Sequence, residues 1–418
     1  MQNMQNMQKE NFTIERREYL NWLITWRERQ IIKVVSGVRR CGKSTLFELY
    51  RGHLLESGVD ARQIHMLNFE DVTFEELTHY RKMYDYVTSK LLAGRMNYIF
   101  LDEIQRVGQF EKAVDSLFLK KNCDVYITGS NAYFMSGELA TLLSGRYVEL
   151  KMLPLSFREF TAGLKAQGRA LPSNEAFTLY MNQSSFPYLL RFPSAQAEAL
   201  DYLRGIYDTV LLKDVVTRLR IPDVNVLENV TKFMLHNVGN KVSPTKIANT
   251  LKSKGRGVDQ KTVDRYLRGL TDSLMLYEAS RYNIKGRQYL TTQSKYYVVD
   301  VALRNALVRG HDDDAGHLLE NVVYLELLRR GFRVSAGMLD DGGEVDFVAE
   351  KAGSVVYCQV AATALDEDVL RRELAPLRRL LDNYPKYLLT LDETFGNANY
   401  DGILKRNVLD WLLNDGGL

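Results

Sequence analysis

The stretch "IIKVVSGVRRCGKSTLFELY", residues 31–50, decides the fold of this chain. It begins with a short apolar run rich in β-branched residues and then passes through a loop that contains two glycines. The loop leads into a run with Leu46 and Leu49 at helical spacing. From Gly37 to Ser44 the residues fit the pattern GxxxxGK[ST]. A strand, a glycine loop and a helix in this order form the context that a phosphate-binding loop requires.

The residue types of this loop suit phosphate chemistry. Gly37 and Gly42 allow backbone N–H groups to close around phosphate oxygens, and the start of the helix adds positive potential. Lys43 would reach the β- and γ-phosphates, and the Ser44 hydroxyl would ligate Mg²⁺. The alternative is a plain glycine turn. We predict ATP and Mg²⁺ as ligands, with a nucleotide-contacting set made of Gly37, Val38, Arg39, Arg40, Cys41, Gly42, Lys43, Ser44 and Thr45.

Two acids follow a second apolar run, "NYIFLDEIQ", residues 97–105. Asp102 is the candidate ligand that supports Mg²⁺ together with Ser44, and Glu103 is the candidate general base that polarises the attacking water. Phosphoryl transfer needs such positioning and charge more than covalent help. The alternative is that both acids only cap the next helix.

Two further strand-like runs complete the pattern. "CDVYITGSN" (residues 123–131) ends in small polar residues, and "LLSGRYVEL" (residues 142–150) contains Arg146 just before its strand. Alternating strands and helices predict an α/β fold, with a parallel sheet flanked by helices and ligands bound at the carboxyl ends of the strands.

These motifs, together with "PLSFREF" and "FPYLL", resemble those of the AAA+ ATPases. They resemble more closely a group of uncharacterised prokaryotic proteins that join such a module to a C-terminal domain of unknown function. The resemblance implies that Asn131 is the polar sensor closing the fourth core strand. It also implies that Arg146 is an arginine finger reaching a neighbouring subunit, and therefore a homo-oligomer. The alternative for Arg146 is an ordinary surface arginine.

The middle of the chain is basic. Residues 231–296 contain 13 lysines and arginines against 4 acids, a net charge of +9 in a chain whose total is +3. Two helical runs (residues 243–255 and 259–279) precede a hairpin-like stretch that turns near Lys285-Gly286, an order that predicts a winged helix-turn-helix. A winged helix can also serve as a lid or a protein-interaction module. The candidate DNA contacts are Lys261, Arg265, Arg268, Lys285 and Arg287.

The final segment contains a second hairpin pattern, "EVDFVAE" and "SVVYCQVA", around residues 351–353. With the preceding helix it resembles the PD-(D/E)XK nuclease fold, in which a helix acid, two hairpin acids and a lysine form the site. The matching positions are Glu320, Asp346 and Gln359, while Ala361 stands at the lysine position. Because Gln359 lacks the charge of the second acid, we predict a degenerate, inactive site. Lys351 is the nearest candidate for a relocated lysine, and we expect it to point away.

Composition excludes several classes of protein. The chain is 45% hydrophobic and 26% charged, values of an ordinary globular protein, and it lacks an apolar run long enough to span a bilayer. Its three cysteines form no CxxC pair, so neither a disulfide framework nor a zinc site is indicated. We expect a cytoplasmic protein without a membrane partner.

The predicted architecture is a P-loop AAA+ module, a winged helix-turn-helix segment and a restriction-endonuclease-like α/β domain. Its parts are an N-terminal leader and helix (1–28), the ATPase core (29–155), a helical lid or linker (156–224), the winged helix (225–300) and the inactive nuclease-like domain (301–418). The predicted function is a Mg²⁺-dependent ATPase coupled to DNA or to a protein partner. The alternatives are a nucleotide-gated DNA-binding switch with negligible turnover and an ATP-dependent DNA nuclease.

Overall fold

A computed structural model describes residues 13–130, 143, 145–191, 196–253, 255, 257–308 and 315–414. The chain divides into two compact units. Unit 1 comprises Met1–Pro154 with Asp272–Leu274, and unit 2 comprises Leu155–Thr271 with Met275–Leu418. Among the described residues, no helix combines the length and the apolarity that are needed to cross a bilayer.

Unit 1 is an α/β sandwich built on a five-stranded parallel sheet. Its helices are α1 (Arg17–Thr25), α2 (Lys43–Glu56), α3 (Tyr80–Ser89) and α4 (Phe110–Phe118). Its strands are β1 (Ile32–Gly37), β2 (Ile64–Asn68), β3 (Asn97–Asp102), β4 (Cys123–Ser130) and β5 (Tyr147–Met152). The strand order is β2-β3-β4-β1-β5, which confirms the parallel sheet predicted from sequence.

The centre of this sheet is buried on both faces because helices cover both. Every residue of β1 and β3 is buried, as is typical of strands inside a parallel sheet. One face packs against α3 and α4 through Met83, Val87, Val114 and Leu117. The register aligns Gly37 with Ser130 and Leu101 with Ile127, so the ends of β1, β3 and β4 lie at one edge.

Unit 2 begins with helices, the first of which starts inside the sequence "PLSFREF" (residues 154–160). They are α5 (Phe157–Ala166), α6 (Ser173–Gln183), α7 (Gln196–Thr209) with its π-helical continuation Val210–Thr217, and α8 (Val224–His236). Ser156 caps α5 through a capping box with Glu159. The predicted winged-helix segment contains α9 (Pro244–Ser253), α10 (Gln260–Asp272) and the hairpin β7 (Leu276–Asn283) and β8 (Gln288–Val298). The hairpin predicted near Lys285-Gly286 is confirmed.

A nine-stranded sheet runs through unit 2, in the order β13-β14-β12-β11-β10-β9-β7-β8-β6. The remaining strands are β6 (Lys241–Val242), β9 (Arg333–Met338), β10 (Glu344–Lys351), β11 (Ser354–Ala361), β12 (Lys386–Thr390), β13 (Ala398–Tyr400) and β14 (Ile403–Asn407). The remaining helices are α11 (Val301–Leu307), α12 (Ala315–Arg329), α13 (Glu367–Arg378) and α14 (Val408–Leu413). Strand β7 pairs with β9, so residues 225–300 and 301–418 share one sheet.

Candidate active site

The glycine loop predicted from sequence joins β1 to α2, and its backbone requires both glycines of the pattern. Gly42 has a φ of 104°, in the left-handed region that favours glycine. A Cβ at Gly37 would lie 2.5 Å from the Met152 carbonyl oxygen, which is too close for any side chain. The loop is therefore packed directly against the end of β5.

The remaining loop residues divide between the core and the surface. The side chains of Val38 and Cys41 are buried, and Arg40 is exposed with a φ of 67°. Arg39 lies 3.7 Å from the Glu70 carboxylate. Ser44 and Thr45 are exposed at the start of α2, where the free backbone N–H groups of a helix lie. The predicted nucleotide-contacting set thus surrounds a single turn.

Lys43 points back across the loop toward the end of β3. Its buried Nζ donates to the carbonyl oxygens of Gly37 at 3.0 Å and Val38 at 3.4 Å. The same Nζ lies 3.8 Å from Oε1 of Glu103, whose Oε2 accepts from Gln105 Nε2 at 2.5 Å. Glu103 has a φ of 54°, a left-handed conformation that non-glycine residues adopt at some cost and that concentrates at functional sites.

Asp102 ends β3 beside Ser44. Its carboxylate accepts hydrogen bonds from the hydroxyls of Ser44 and Thr128. Burial raises the pKa of the Asp102 carboxyl, and these two hydrogen bonds oppose the shift. A hydroxyl and a carboxylate in contact are the oxygen ligands that Mg²⁺ prefers, so the predicted pair Ser44 and Asp102 fits this metal.

Thr128 is a site residue that sequence reasoning missed. It lies on β4, where its hydroxyl donates to Asp102 and accepts from the backbone N–H of Glu103 at 2.9 Å. Thr128 therefore fixes both acids at once. The available signal was a polar residue close to the end of an otherwise apolar strand, next in the sheet to the strand that carries the acids.

The structure gives a position for only one of the other two predicted catalytic residues. Asn131 lies outside the residues that the structure describes. Arg146 precedes β5, where its carbonyl accepts from Ile32 N–H at 3.0 Å and its guanidinium lies 5.6 Å from the centre of the Phe118 ring. This is the edge at which the strands begin, roughly 20 Å from the glycine loop at about 3.3 Å per residue. Arg146 therefore does not reach the site of its own chain, and its role in a neighbouring subunit stays a prediction.

Comparison with known proteins identifies the domains that this chain resembles. Residues 29–161 match the model of an AAA domain, and residues 174–314 match that of a domain of unknown function, DUF8612. An uncharacterized protein of Haemophilus influenzae is 37% identical over 401 residues, covering 96% of this chain and 98% of the relative. The chain belongs to the family of this protein. This chain thus combines an AAA domain with a second domain of unknown function.

Two further comparisons extend over most of the chain. The uncharacterized protein MJ1544 of Methanocaldococcus jannaschii is 27% identical over 391 residues, 88% of this chain and 84% of that protein. Among solved structures, the Walker-type ATPase PABY2304 of Pyrococcus abyssi is similar with a TM-score of 0.50 at 17% identity, covering 71% of this chain and 96% of that one. At this identity the likeness establishes the fold.

In unit 2 of this chain, three acids surround one lysine. Nζ of Lys295, on β8, lies 3.3 Å from Glu320 on α12, 2.8 Å from Glu344 and 3.5 Å from Asp346, both on β10. A β-bulge between Val345 and Val348 contains Asp346, and bulges commonly re-aim a side chain. We call Lys295, Glu320, Glu344 and Asp346 the lysine–acid cluster.

The lysine–acid cluster revises one expectation and confirms another. The lysine nearest to the acids is Lys295. The prediction that Lys351 is the nearest candidate was therefore wrong. Lys351 points away as expected, donating to the Arg330 carbonyl at 2.6 Å. Gln359 lies beside Asp346, whose backbone N–H donates to the Gln359 amide oxygen at 3.3 Å. In the part of the chain that the structure describes, no three His, Cys, Asp or Glu side chains could together hold a metal ion.

Charge interactions explain the protonation of this cluster. Burial and the neighbouring Glu320 raise the pKa of Asp346 to about 8, although Lys295 opposes the shift. Burial lowers the pKa of Lys295, but the three carboxylates more than offset this and raise it overall. Lys295 therefore stays charged, and it serves as the shared counter-ion of the acids.

The five candidate DNA contacts are all exposed, but three of them have partners within the chain. Arg265 donates to the Leu219 carbonyl at 2.6 Å, and Arg268 pairs with Asp264 at 2.7 Å. Lys285 pairs with Asp340 at 3.0 Å. Among the described residues, no ion pair involves the other two, Lys261 and Arg287.

Proposed function

We propose that this protein is a Mg²⁺-dependent ATPase that hydrolyses ATP to ADP and phosphate. The observation that carries the proposal is the convergence of Lys43, Ser44, Asp102, Glu103 and Thr128 at one edge of the parallel sheet. These residues come from α2, β3, the residue after β3, and β4. Hydrogen bonds join Ser44 and Thr128 to the Asp102 carboxylate and the Glu103 backbone N–H to Thr128, and the Glu103 carboxylate lies within 4 Å of Lys43. If these residues served only as an ion pair or a helix cap, two features would have no explanation. They are the two glycines that the loop backbone requires and the left-handed backbone conformation of Glu103.

Each residue has a role that its position supports. The N–H groups of the glycine loop and the Lys43 ammonium would bind the phosphates, since both donate to negatively charged oxygens. Ser44 and Asp102 would hold Mg²⁺, which neutralises charge on the phosphates when it is bound. Glu103 would accept the proton of the attacking water, and Thr128 orients both acids. Asn131 and, from a neighbouring subunit, Arg146 complete the proposed set.

Lys43→Ala should weaken binding of ATP and ADP by roughly 100-fold or more, because it removes a buried ammonium that makes charge-assisted hydrogen bonds to phosphate. Isothermal titration calorimetry with ADP and Mg²⁺ measures this loss. Arg51→Ala is the matched control, because Arg51 lies on the exposed side of the same helix. Equal ADP affinity in the parent and in Lys43→Ala would contradict the proposal.

We further propose that ATP turnover is coupled to DNA bound by the basic face of residues 225–300. The exposed basic side chains and the local charge of +9 favour phosphate-backbone contacts, which lysine and arginine make with any sequence. Lys261 and Arg287 are the most informative residues to mutate in a test of DNA binding, because their charges have no ion-pair partner among the described residues. The competing proposal is a switch that binds DNA according to its nucleotide but turns over negligibly.

The double variant Lys261→Glu/Arg287→Glu should weaken binding to duplex DNA and reduce the salt slope of log K by about 2, one unit for each lost phosphate contact. Fluorescence anisotropy with a labelled duplex at several salt concentrations measures this slope. The double variant Arg51→Glu/Arg81→Glu, at two exposed positions outside the basic segment, is the control with the same change in net charge. An unchanged slope would remove the DNA contact, and ATP turnover measured with and without DNA separates a coupled ATPase from a switch.

A further inference from the structure

Arg16 is a buried arginine that contacts the core side of the phosphate-binding loop. It stands at the residue before α1, a helix that packs against α2 and β5. One terminal nitrogen of its guanidinium donates to the Cys41 carbonyl at 3.0 Å, and the other donates to the Leu153 carbonyl at 2.7 Å. Only 2% of Arg16 is exposed, and its guanidinium also lies 4.8 Å from the centre of the Tyr19 ring.

The contact with Cys41 constrains the next peptide N–H. In a planar trans peptide the C=O and the following N–H point in opposite directions. Because Arg16 binds the Cys41 carbonyl on the core side, the N–H of Gly42 is directed to the other side, into the loop that precedes Lys43. Gly42 has the left-handed φ that keeps this orientation. A positive charge on the carbonyl side also polarises the peptide and strengthens its N–H as a donor.

The hydrogen bond from Arg16 to the Leu153 carbonyl connects the loop to the end of β5. Leu153 follows β5 directly, and its N–H donates to the Tyr19 hydroxyl at 3.1 Å. The loop is also close to this strand at Gly37, where the Met152 carbonyl leaves no space for a side chain. Arg16 therefore connects the loop itself, at Cys41, to the backbone that follows β5, at Leu153.

We propose that Arg16 is a positioning residue of the ATPase site, which holds the Cys41–Gly42 peptide so that its N–H faces the nucleotide phosphates. This proposal rests on the proposed ATPase function. A positioning residue should affect the binding of phosphates, whereas a residue that only stabilises the fold should affect stability and leave the relative affinities of ligands unchanged.

Arg16→Met should weaken ADP binding about tenfold, the loss expected when one charge-supported hydrogen bond is no longer aligned, and change adenosine binding by less than about twofold. Arg16→Lys retains the charge but has a single nitrogen, which cannot reproduce the two-nitrogen bridge, so its ADP affinity should be intermediate. Calorimetry measures ADP, and saturation-transfer NMR measures adenosine, at a temperature where circular dichroism shows each variant to be folded.

Tyr19→Phe is the matched control, because it removes the hydroxyl that binds Leu153 without touching Cys41. It should lose stability but keep the ADP affinity of the parent. Parent-like ADP affinity in Arg16→Met, or an equal loss in Tyr19→Phe, would overturn the role of Arg16. If the parent binds ADP no better than Lys43→Ala does, the proposed function itself fails and Arg16 with it. If Arg16→Met does not fold, Arg16→Lys against Tyr19→Phe decides the question in the same way.

Discussion

Glu103→Gln should bind ATP with an affinity close to that of the parent and lower the turnover rate by about 100-fold or more, the range expected when a general base is removed. Glutamine retains the shape of glutamate and can still pair with Gln105, but its amide cannot accept a proton from water. The Glu103 carboxylate is held within 3.8 Å of Lys43 by a strained left-handed backbone. The effect should therefore fall on the chemical step and leave nucleotide binding nearly unchanged.

A phosphate-release assay under saturating ATP, with affinity measured in parallel, checks this expectation. Glu111→Gln is the control, because Glu111 is an acid in the first turn of α4 and lies outside the site. Parent-like turnover in Glu103→Gln would remove Glu103 as the base. Loss of binding equal to that in Lys43→Ala would mean that Glu103 supports the loop and does not act in hydrolysis.

The second large effect is expected at Lys295. Lys295→Met removes the counter-ion that Glu320, Glu344 and Asp346 share, while Glu344 keeps its ion pair with Lys241. Breaking a buried charge cluster from one side typically costs about 3–5 kcal/mol. Local hydrogen exchange suits a two-unit chain, because it reports the stability of individual elements. Protection of peptides from β8 and β10 should fall by roughly 100-fold or more at pH 8. Lys351→Met is the control, since Lys351 is exposed at the end of β10, where its ammonium donates to the Arg330 carbonyl and lies 5.5 Å from the centre of the Phe332 ring.

The loss should depend on pH with a defined sign. The folded pKa of Asp346 is raised to about 8, above its unfolded value of about 3.9, so the folded state holds the extra proton between these values. Its contribution to stability is present below about pH 4 and is lost as the pH rises to about 8. Because the variant lacks the opposing ammonium, it should be less destabilised at pH 5.5 than at pH 8.5. A loss that is independent of pH would contradict the assignment of Lys295 as counter-ion.

The same cluster bears on the proposed absence of nuclease activity. With Lys295 paired to the acids, Gln359 in place of a carboxylate and alanine at residue 361, we expect plasmid DNA to stay intact in Mg²⁺ or Mn²⁺. Cleavage by the parent that Asp346→Ala eliminates would revive the nuclease alternative.

The local sequence pattern was sufficient to predict the parts of the site whose residues are contiguous in the chain. The glycine loop, Lys43 and Ser44 occupy a single turn, and Asp102 and Glu103 follow one apolar strand, so spacing alone placed them. Both hairpins were likewise predicted from apolar runs with turn residues between them. Strand β2 (Ile64–Asn68) was missed, since its short run is only partly apolar and half-buried.

Only the tertiary structure could decide which distant residues meet. Thr128, Arg16 and Lys295 lie 26, 25 and 51 residues from Asp102, Cys41 and Asp346, and no periodicity links such positions. The pairing of β7 with β9, which joins the predicted winged helix to the strands of the predicted nuclease-like domain, is equally non-local. The sequence therefore determined the phosphate-binding turn and its two acids, because their geometry follows from short-range backbone rules. Packing decided that the Thr128 hydroxyl and the Arg16 guanidinium contact this turn and its acids, and that the Lys295 ammonium contacts the acids of the lysine–acid cluster, because buried polar groups must find partners wherever the folded chain places them.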